Sequence, residues 1–336
     1  MAFVLGRGSA VEWLRLNHKT ELLQSTYELS YADLEGSRRQ FERHVAGTLK
    51  SLTKPVQLVV GQAGFRRRTA VTNCFMFNIE GGKYPCNYIK KMLFCSTPEL
   101  TFVQMASVLD EEKLRFLGME LCGRFGIDGD VFLRPQTTTP TMLAIQAQSL
   151  RRVHGRSKAI EVAPLVIGGA ASPMEIALTL ILCAARDQGG YGLSAPELNH
   201  KLPVPDHLRT MWDDDHITPD MLWDDAHLVV EYDSELHHTA ASRIANDALR
   251  RNLLEEMGYR VITVTSQHLR TPRQIDQIAQ TIAKRLGMAL ELGDWEEQAR
   301  RHEFQSRMRY LGAHPEDLVA ISPLAKEPKR NWNPRR

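Results

Sequence analysis

The sequence lacks the long apolar runs of membrane proteins, and it has few cysteines. Its apolar runs, such as residues 176–185, fall well short of the roughly 20 residues that span a bilayer. The opening residues contain no long apolar core followed by small residues, so no signal peptide is expected. The five cysteines are odd in number and form no close pair, which favours reduced thiols over a disulfide framework or a zinc knuckle. These absences predict a cytoplasmic protein without a membrane segment.

A phosphate-binding loop and a strong net charge are also missing. The opening segment GRGSA has the glycines of such a loop but not the Lys-Ser/Thr pair that holds phosphate and magnesium, and Ser9 is expected to cap a helix instead. The formal charge of +2 is too small to identify a nucleic-acid partner by itself. Basic clusters such as Arg66-Arg67-Arg68 can contact phosphates, although most runs of this kind are solvated surface.

The length of 336 residues and the order of the local patterns predict an α/β (α+β) fold with more than one domain. We expect a mixed α+β accessory or regulatory domain over residues 1–155, helical up to about residue 55, with strands from there to residue 94 and a loop over 128–141. A second domain over 170–290 is expected to hold a mixed sheet flanked by helices. Residues 291–336 are expected to form a helical extension and a flexible basic tail.

Acidic side chains stand at the ends of two predicted strands in the second domain. Strands are expected over 221–223, 227–232 and 259–264, with a helix over 240–257 before the last of them. Asp220 follows Pro219 and precedes the first strand. Glu231 lies eleven residues later, a spacing that permits one hairpin between the two acids.

Carboxylates held at strand ends can bind one or two magnesium ions, which activate water and stabilise the leaving oxygen when a phosphodiester is cut. Strand alternation places Glu231 and Asp233 on one face, with Tyr232 opposite. Clustered carboxylates raise one another's pKa unless a cation neutralises them. We therefore expect Mg²⁺ (or Mn²⁺) bound by Asp220, Glu231 and Asp233, although a turn-forming role would also explain Asp233.

Side chains that follow the second strand are candidates for the remaining chemistry. His237 can bind metal or activate water, and His238 can donate to a phosphate. In the next helix Asp247, Arg250 and Arg251 lie within one turn, so an arginine can approach the scissile phosphate while Asp247 orients it. The ordinary alternatives are two surface histidines and a structural salt bridge within the helix.

A set of spaced residues extends from residue 172 to residue 261. It comprises Ser172-Pro-x-Glu175, Ala195-Pro-Glu-Leu-Asn199, Pro219-Asp220, Glu231-x-Asp233, His237, Asp247-x-x-Arg250, Leu254 and Gly258-Tyr-Arg-Val261. This set resembles the very-short-patch-repair-like branch of the PD-(D/E)xK nuclease superfamily, over roughly residues 171–286. The resemblance implies a restriction-endonuclease-like αβββαβ core. It also implies that Asp220 and Glu231 are metal ligands and that Glu175 is an accessory acid, although a helix-capping role alone explains Glu175.

Two positions depart from the pattern of the superfamily. The usual lysine, two residues after the glutamate, is Asp233 here, and an acid at this place is common in the branch. Ser234 stands where the branch usually has glycine. The first departure means that water activation cannot be assigned to a lysine, so His237 is our candidate. The second implies a changed turn after the strand or a weakened active site.

The first half of the chain has a fainter likeness. The segments Cys95-Ser-Thr-Pro98-Glu99-Leu, Phe102-Val-Gln-Met-Ala and Gly118-Met-Glu-Leu-Cys-Gly123 carry it. They resemble proteins in which a nuclease-like domain is fused to a region related to abortive-infection antitoxin regulators. That likeness implies a bacterial or mobile-element setting and a role in defence or toxin control, and it carries no catalytic residue.

These patterns predict a metal-dependent endonuclease that cleaves DNA. Two alternatives stay open, namely a non-catalytic DNA-binding regulator or antitoxin that keeps the nuclease fold, and an RNA-cleaving toxin. A double-strand cut by one such domain usually requires a homodimer, and the N-terminal domain is a candidate surface for a partner protein.

Overall fold

The computed structural model describes residues 2–17, 26–34, 52–233 and 241–319, the last range with side chains from residue 246 onward. His237, His238, Ser234 and the predicted tail from residue 320 lie outside these ranges. Within them the fold is α/β as predicted, with helices and several mixed sheets. None of the helices within these ranges is both long and apolar enough to cross a bilayer.

The first half of the chain is built on a mixed sheet of six strands. They are β1 (Phe3–Leu5), β2 (Thr26–Ser30), β3 (Val56–Val60), β4 (Thr72–Met76), β5 (Lys83–Lys90) and β6 (Leu93–Ser96). Their spatial order is β2-β5-β6-β1-β3-β4, with β1 parallel to β6 and antiparallel to β3. The prediction of helix up to residue 55 is therefore wrong at β1 and β2. A three-residue strand is too short to show a period of its own, and burial between β6 and β3 decides its conformation.

Two further predictions for this half are corrected. Helix α1 (Arg7–Leu16) begins before Ser9, whose Oγ accepts the N–H of Gln57 at 2.9 Å and so joins α1 to β3 instead of capping the helix. The predicted loop over 128–141 contains a strand, β8 (Asp130–Leu133), which pairs antiparallel with β7 (Phe125–Asp128). The turn between them is Gly129 alone, with a φ of 74° that favours glycine.

Five helices lie along the chain between the last strand of the first sheet and the first strand of the second sheet. After β6 come α2 (Pro98–Met105) and α3 (Glu111–Leu121), and after β8 come α4 (Pro140–Ser149), α5 (Arg156–Val162) and α6 (Pro173–Cys183). Side-chain caps begin several of them. Thr97 accepts the N–H of Leu100 at 3.3 Å, and Ser172 accepts the N–H of Glu175 at 3.2 Å.

A second sheet of four strands lies in the other half. Its strands are β9 (Glu197–Leu198), β12 (Met221–Trp223), β13 (Leu228–Asp233) and β14 (Arg260–Thr265), in the spatial order β14-β13-β12-β9, while β10 (Leu202–Pro203) and β11 (His216–Ile217) form a small pair. Helix α7 (Ala241–Glu256) joins β13 to the parallel β14, and Gly258, with a φ of 88°, makes the turn. The predicted strands and helix of this region are confirmed to within one residue.

Both faces of β13 are buried. Leu228 and Val230 belong to the main hydrophobic core, whereas Val229 packs with Leu253 and Leu254 of α7 in a smaller cluster. Alternation then places the side chain of Glu231 on the α7 face of the sheet.

The chain after β14 is helical. It forms α8 (Ser266–Arg270), α9 (Pro272–Arg285) and α10 (Trp295–Ala313). Helix α10 packs on α6, with Phe304 and Met308 almost fully buried. Buried residues from Phe3 to Val319 belong to one main cluster, so both halves of the described chain share a hydrophobic core.

Candidate active site

Pairing of β12 with β13 brings Asp220 and Glu231 together. Met221 lies opposite Val230 in the antiparallel register. Asp220 precedes Met221 and Glu231 follows Val230, so the two acids also face each other. The backbone N–H of Asp220 donates to Oε2 of Glu231 at 3.3 Å. The backbone N–H of Tyr232 donates to Oδ2 of Asp220 at 2.7 Å. The two strand-end acids are therefore held by the backbone of the sheet.

Glu175 reaches the same place from the start of α6. Its side chain is almost fully buried, and its Oε2 accepts the N–H of Ala171 at 2.8 Å and Nδ2 of Asn199 at 2.7 Å. The backbone N–H of Asn199 donates to the carbonyl of Asp220 at 3.1 Å. The Glu175 carboxylate thus makes a tertiary contact beyond the capping position, and Asn199 links it to Asp220.

The three acids form an electrostatically strained group. Burial raises the pKa of Asp220 well above its ordinary value, and the negative charges of Glu231 and Glu175 raise it further. Burial also raises the pKa of Glu175, against the hydrogen bonds from Ala171 and Asn199 that lower it. Such a group is stabilised by a proton or by a cation.

One cation that neutralises the group belongs to the protein. Arg250 Nε donates to Oε1 of Glu231 at 3.0 Å, and its Nη2 donates to the carbonyl of Thr218. Arg250 therefore pairs with Glu231 rather than with Asp247, which is exposed one turn earlier on the helix. Arg251 lies beside it and donates from Nη2 to Oγ1 of Thr263 at 2.5 Å.

The fit of this site to a metal ion is mixed. Its donors are carboxylate oxygens, which suit Mg²⁺. However, the side chains that the structure describes form no group of three or more His, Cys, Asp or Glu residues arranged to hold a metal ion. All three acids are bonded to protein donors, Asp220 to the Tyr232 N–H, Glu231 to Arg250 and Glu175 to Asn199. Because Arg250 holds Oε1 of Glu231, a metal ion shared with Asp220 would bind the other oxygen, Oε2, or displace Arg250.

The two strand-end acids line an open cleft of about 1130 Å³, and the buried Glu175 lies behind them, outside its lining. Asp220, Glu231 and Asp233 contribute to its wall, which also includes four arginines: Arg124, Arg134, Arg250 and Arg251. Carboxylates beside several guanidinium groups form a surface that can hold a phosphate next to a cation site.

Two of these arginines come from the first half of the chain. Arg124 Nη1 donates to the carbonyl of Asn199 at 2.9 Å, and Arg134 Nη1 donates to the carbonyl of Leu14 at 2.6 Å. No pattern in the sequence indicated either arginine, because each is brought to the cleft by the β7–β8 hairpin. Asn199 had a signal, since it ends one of the motif segments. Its φ of 49° is a conformation that asparagine tolerates better than most residues.

The fold and the cleft define an α/β protein with a cluster of carboxylates at the ends of the two central strands of a mixed sheet. No protein-family model matches the chain. No solved structure matches it either. It is similar to Uncharacterized protein MT2308 and Uncharacterized protein Rv2248, from two strains of Mycobacterium tuberculosis. Each is 29% identical over 150 residues, which cover 45% of this chain and 49% of the relative. The chain spans about half the length of the curated relatives it matches.

Proposed function

We propose that the chain is a metal-dependent endonuclease that cleaves DNA, similar to the very-short-patch-repair-like branch of the PD-(D/E)xK superfamily. The observation that carries the proposal is the meeting of Asp220 and Glu231 in a cleft with four arginines, with the buried Glu175 beside Asp220. The chain order also agrees with the αβββαβ core that the resemblance implies, as α6, β9, β12, β13, α7 and β14. A role in bacterial defence or toxin control is part of the proposal and rests on the fainter likeness of the first half.

Each group has a role in this proposal. Asp220 and Glu231 would hold Mg²⁺ or Mn²⁺, with Asp233 beside them. Bound metal would lower the pKa of a water and neutralise charge on the phosphate. Glu175, through Asn199, positions the backbone of Asp220. Arg250 and Arg251, on the same wall of the cleft, would bind the phosphodiester.

A non-catalytic nucleic-acid-binding regulator is the second candidate, and one observation favours it. Arg250 is bonded both to Glu231 and to the Thr218 carbonyl, so the protein itself supplies a cation for the acidic group. In a regulator that pairing would be permanent, and the cleft would bind nucleic acid without cutting it.

A cleavage assay separates these candidates. The purified full chain is incubated with supercoiled plasmid, single-stranded DNA and RNA, in Mg²⁺, in Mn²⁺ and in a chelator. We expect metal-dependent cleavage of DNA that is lost in Asp220→Asn and in Glu231→Gln. Asp225→Asn, an exposed acid between β12 and β13, is the matched control and should cleave normally.

The outcomes are distinct. Cleavage that survives both active-site substitutions contradicts the assignment of the site. Binding of DNA by gel shift without cleavage in either metal supports the regulator, and cleavage confined to RNA supports the toxin. The mass of the active species by light scattering tests whether a plasmid cut on both strands requires a homodimer.

A further inference from the structure

A second cleft lies between α3, α5, α6 and α10 and shares no lining residue with the first. Its volume is about 1100 Å³. Much of its wall is apolar and comes from buried side chains, among them Leu180, Phe304, Met308 and Leu311. A concave apolar surface with a few polar groups is the usual form of a small-molecule site.

A buried cation lies in this wall, without an acidic partner in the part of the chain that the structure describes. Arg115 on α3 is only 9% exposed. Its Nε donates to the carbonyl of Leu165 at 2.9 Å, and its terminal nitrogens make no hydrogen bond to any residue that the structure describes. Burial lowers the pKa of Arg115, against a smaller effect of Cys183 that raises it. The terminal nitrogens of Arg115 are not among the fully buried polar atoms, so they reach the surface of the cleft, where an anion from outside the chain can pair with them.

The lining carries five acids and five bases, but its acids are paired or exposed. Lys158, half-buried on α5, donates to the carbonyl of Leu109 and adds a second cation. Of the acids in the lining, Glu112 is paired with Arg307 at 2.8 Å. The rest are exposed at the rim: Asp110, Glu111, Asp187 and Asp317.

We propose that this cleft binds an amphipathic carboxylate, with its head group on Arg115 and its apolar chain along the wall of the cleft. A planar guanidinium matches the two oxygens of a carboxylate. The apolar chain would lie against the accessible apolar surface of Leu165 and Tyr310, and Lys158 would add positive charge. Because this site is separate from the acidic cleft, it does not depend on the proposed nuclease activity.

Calorimetry with two probes of equal chain length tests the role of the charge. Decanoate, below its micellar concentration, and decanol are titrated into the full chain. We expect decanoate to bind about tenfold to hundredfold more tightly, the ratio that a hydrogen-bonded charge provides. Arg115→Met should remove this advantage while decanol binding stays. Lys113→Met is the control, because Lys113 lies at the rim and pairs with Asp110.

The result that overturns the proposal is equal binding of the two probes, or decanoate binding that Arg115→Met leaves unchanged. Retained decanol binding shows that the variant keeps the cleft intact. If Arg115→Met does not fold, Lys158→Met takes its place, and it should weaken decanoate binding but not decanol binding. Equal effects of Lys158→Met on both probes would also refute the proposal.

Discussion

Replacement of Asp220 by asparagine should stabilise the protein at neutral pH, although it removes a central residue of the proposed site. The asparagine side-chain oxygen can still accept the N–H of Tyr232, which Asp220 accepts at 2.7 Å. The negative charge that faces Glu231 and Glu175 is lost. The substitution therefore removes an unfavourable charge and keeps the hydrogen bond.

The size of the effect follows from the strand register. Side chains directly opposite on antiparallel strands lie about 5 Å apart. Two unit charges at that distance repel by about 3 kcal/mol at an effective dielectric constant of about 20. Arg250 offsets part of the Glu231 charge through its bond at 3.0 Å. We therefore expect Asp220→Asn to raise the free energy of unfolding by on the order of 1–3 kcal/mol at pH 7.

The gain must depend on pH in one direction. The pKa of Asp220 is higher in the folded protein than its ordinary value. At pH values between the unfolded pKa and the folded pKa, the folded state therefore binds more protons than the unfolded state. The stability of the natural protein is then fully present below the unfolded pKa and falls as pH rises through the folded pKa. Asp220→Asn lacks this loss, so its advantage should be absent at about pH 3.5 and grow towards pH 8.

Urea denaturation at several pH values, with and without Mg²⁺, measures both effects. Metal that binds the folded state at ten times its dissociation constant adds about 1.4 kcal/mol, and this addition should be absent in Asp220→Asn. The control Asp225→Asn should change stability by less than about 0.5 kcal/mol at every pH. The electrostatic explanation is refuted if Asp220→Asn is less stable than the natural protein at pH 7. It is also refuted if the difference in free energy of unfolding between the two proteins is the same at all pH values.

Two further substitutions test other ion pairs. Arg250→Gln should raise the affinity for Mn²⁺ in calorimetry several-fold, because Glu231 loses its protein cation, and should weaken DNA binding. The control is Arg251→Gln, because Arg251 donates to the Thr263 hydroxyl and not to an acid, and its Mn²⁺ affinity should be unchanged. Equal Mn²⁺ affinities in the two variants would contradict the role of Arg250. Glu120→Gln should cost about 3–5 kcal/mol in urea denaturation because it leaves the buried Arg15 without its carboxylate, whereas a loss below about 1 kcal/mol would show that the Arg15–Glu120 pair contributes little.

Local patterns predicted the second half of the chain better than the first. The strand and helix bounds around Asp220 and Glu231 were set by apolar runs long enough to show their period, and the register of the hairpin then brought the acids together. The strands β1 and β2 near the N-terminus were not predicted, because each is stabilised by pairing with strands distant in sequence. Strand β1 pairs with β3 and β6, and β2 pairs with β5. Long-range pairing of this kind leaves no local signal.

The same limit applies to the charges of the site. Helical spacing placed Arg250 near Asp247, and a surface pair between them was a reasonable inference. The fold offered Arg250 a better partner, because Glu231 lies on the α7 face of the sheet and is half-buried. Arg124 could not be predicted at all, since its place in the cleft depends on contact between the two halves of the chain.

That contact gives the first half a physical route to the acidic group. At the end of α3, the N–H of Arg124 donates to the carbonyl of Ala170 at 2.7 Å, while the N–H of Ala171 donates to Glu175. The Arg124 guanidinium donates to the carbonyl of Asn199. The side chain of Asn199 donates to the Glu175 carboxylate, and its N–H donates to the backbone carbonyl of Asp220. A displacement of α3 would therefore shift both donors to the Glu175 carboxylate, together with a backbone contact of Asp220. A partner bound to the first half would act on the acidic group through these hydrogen bonds, without entering the cleft.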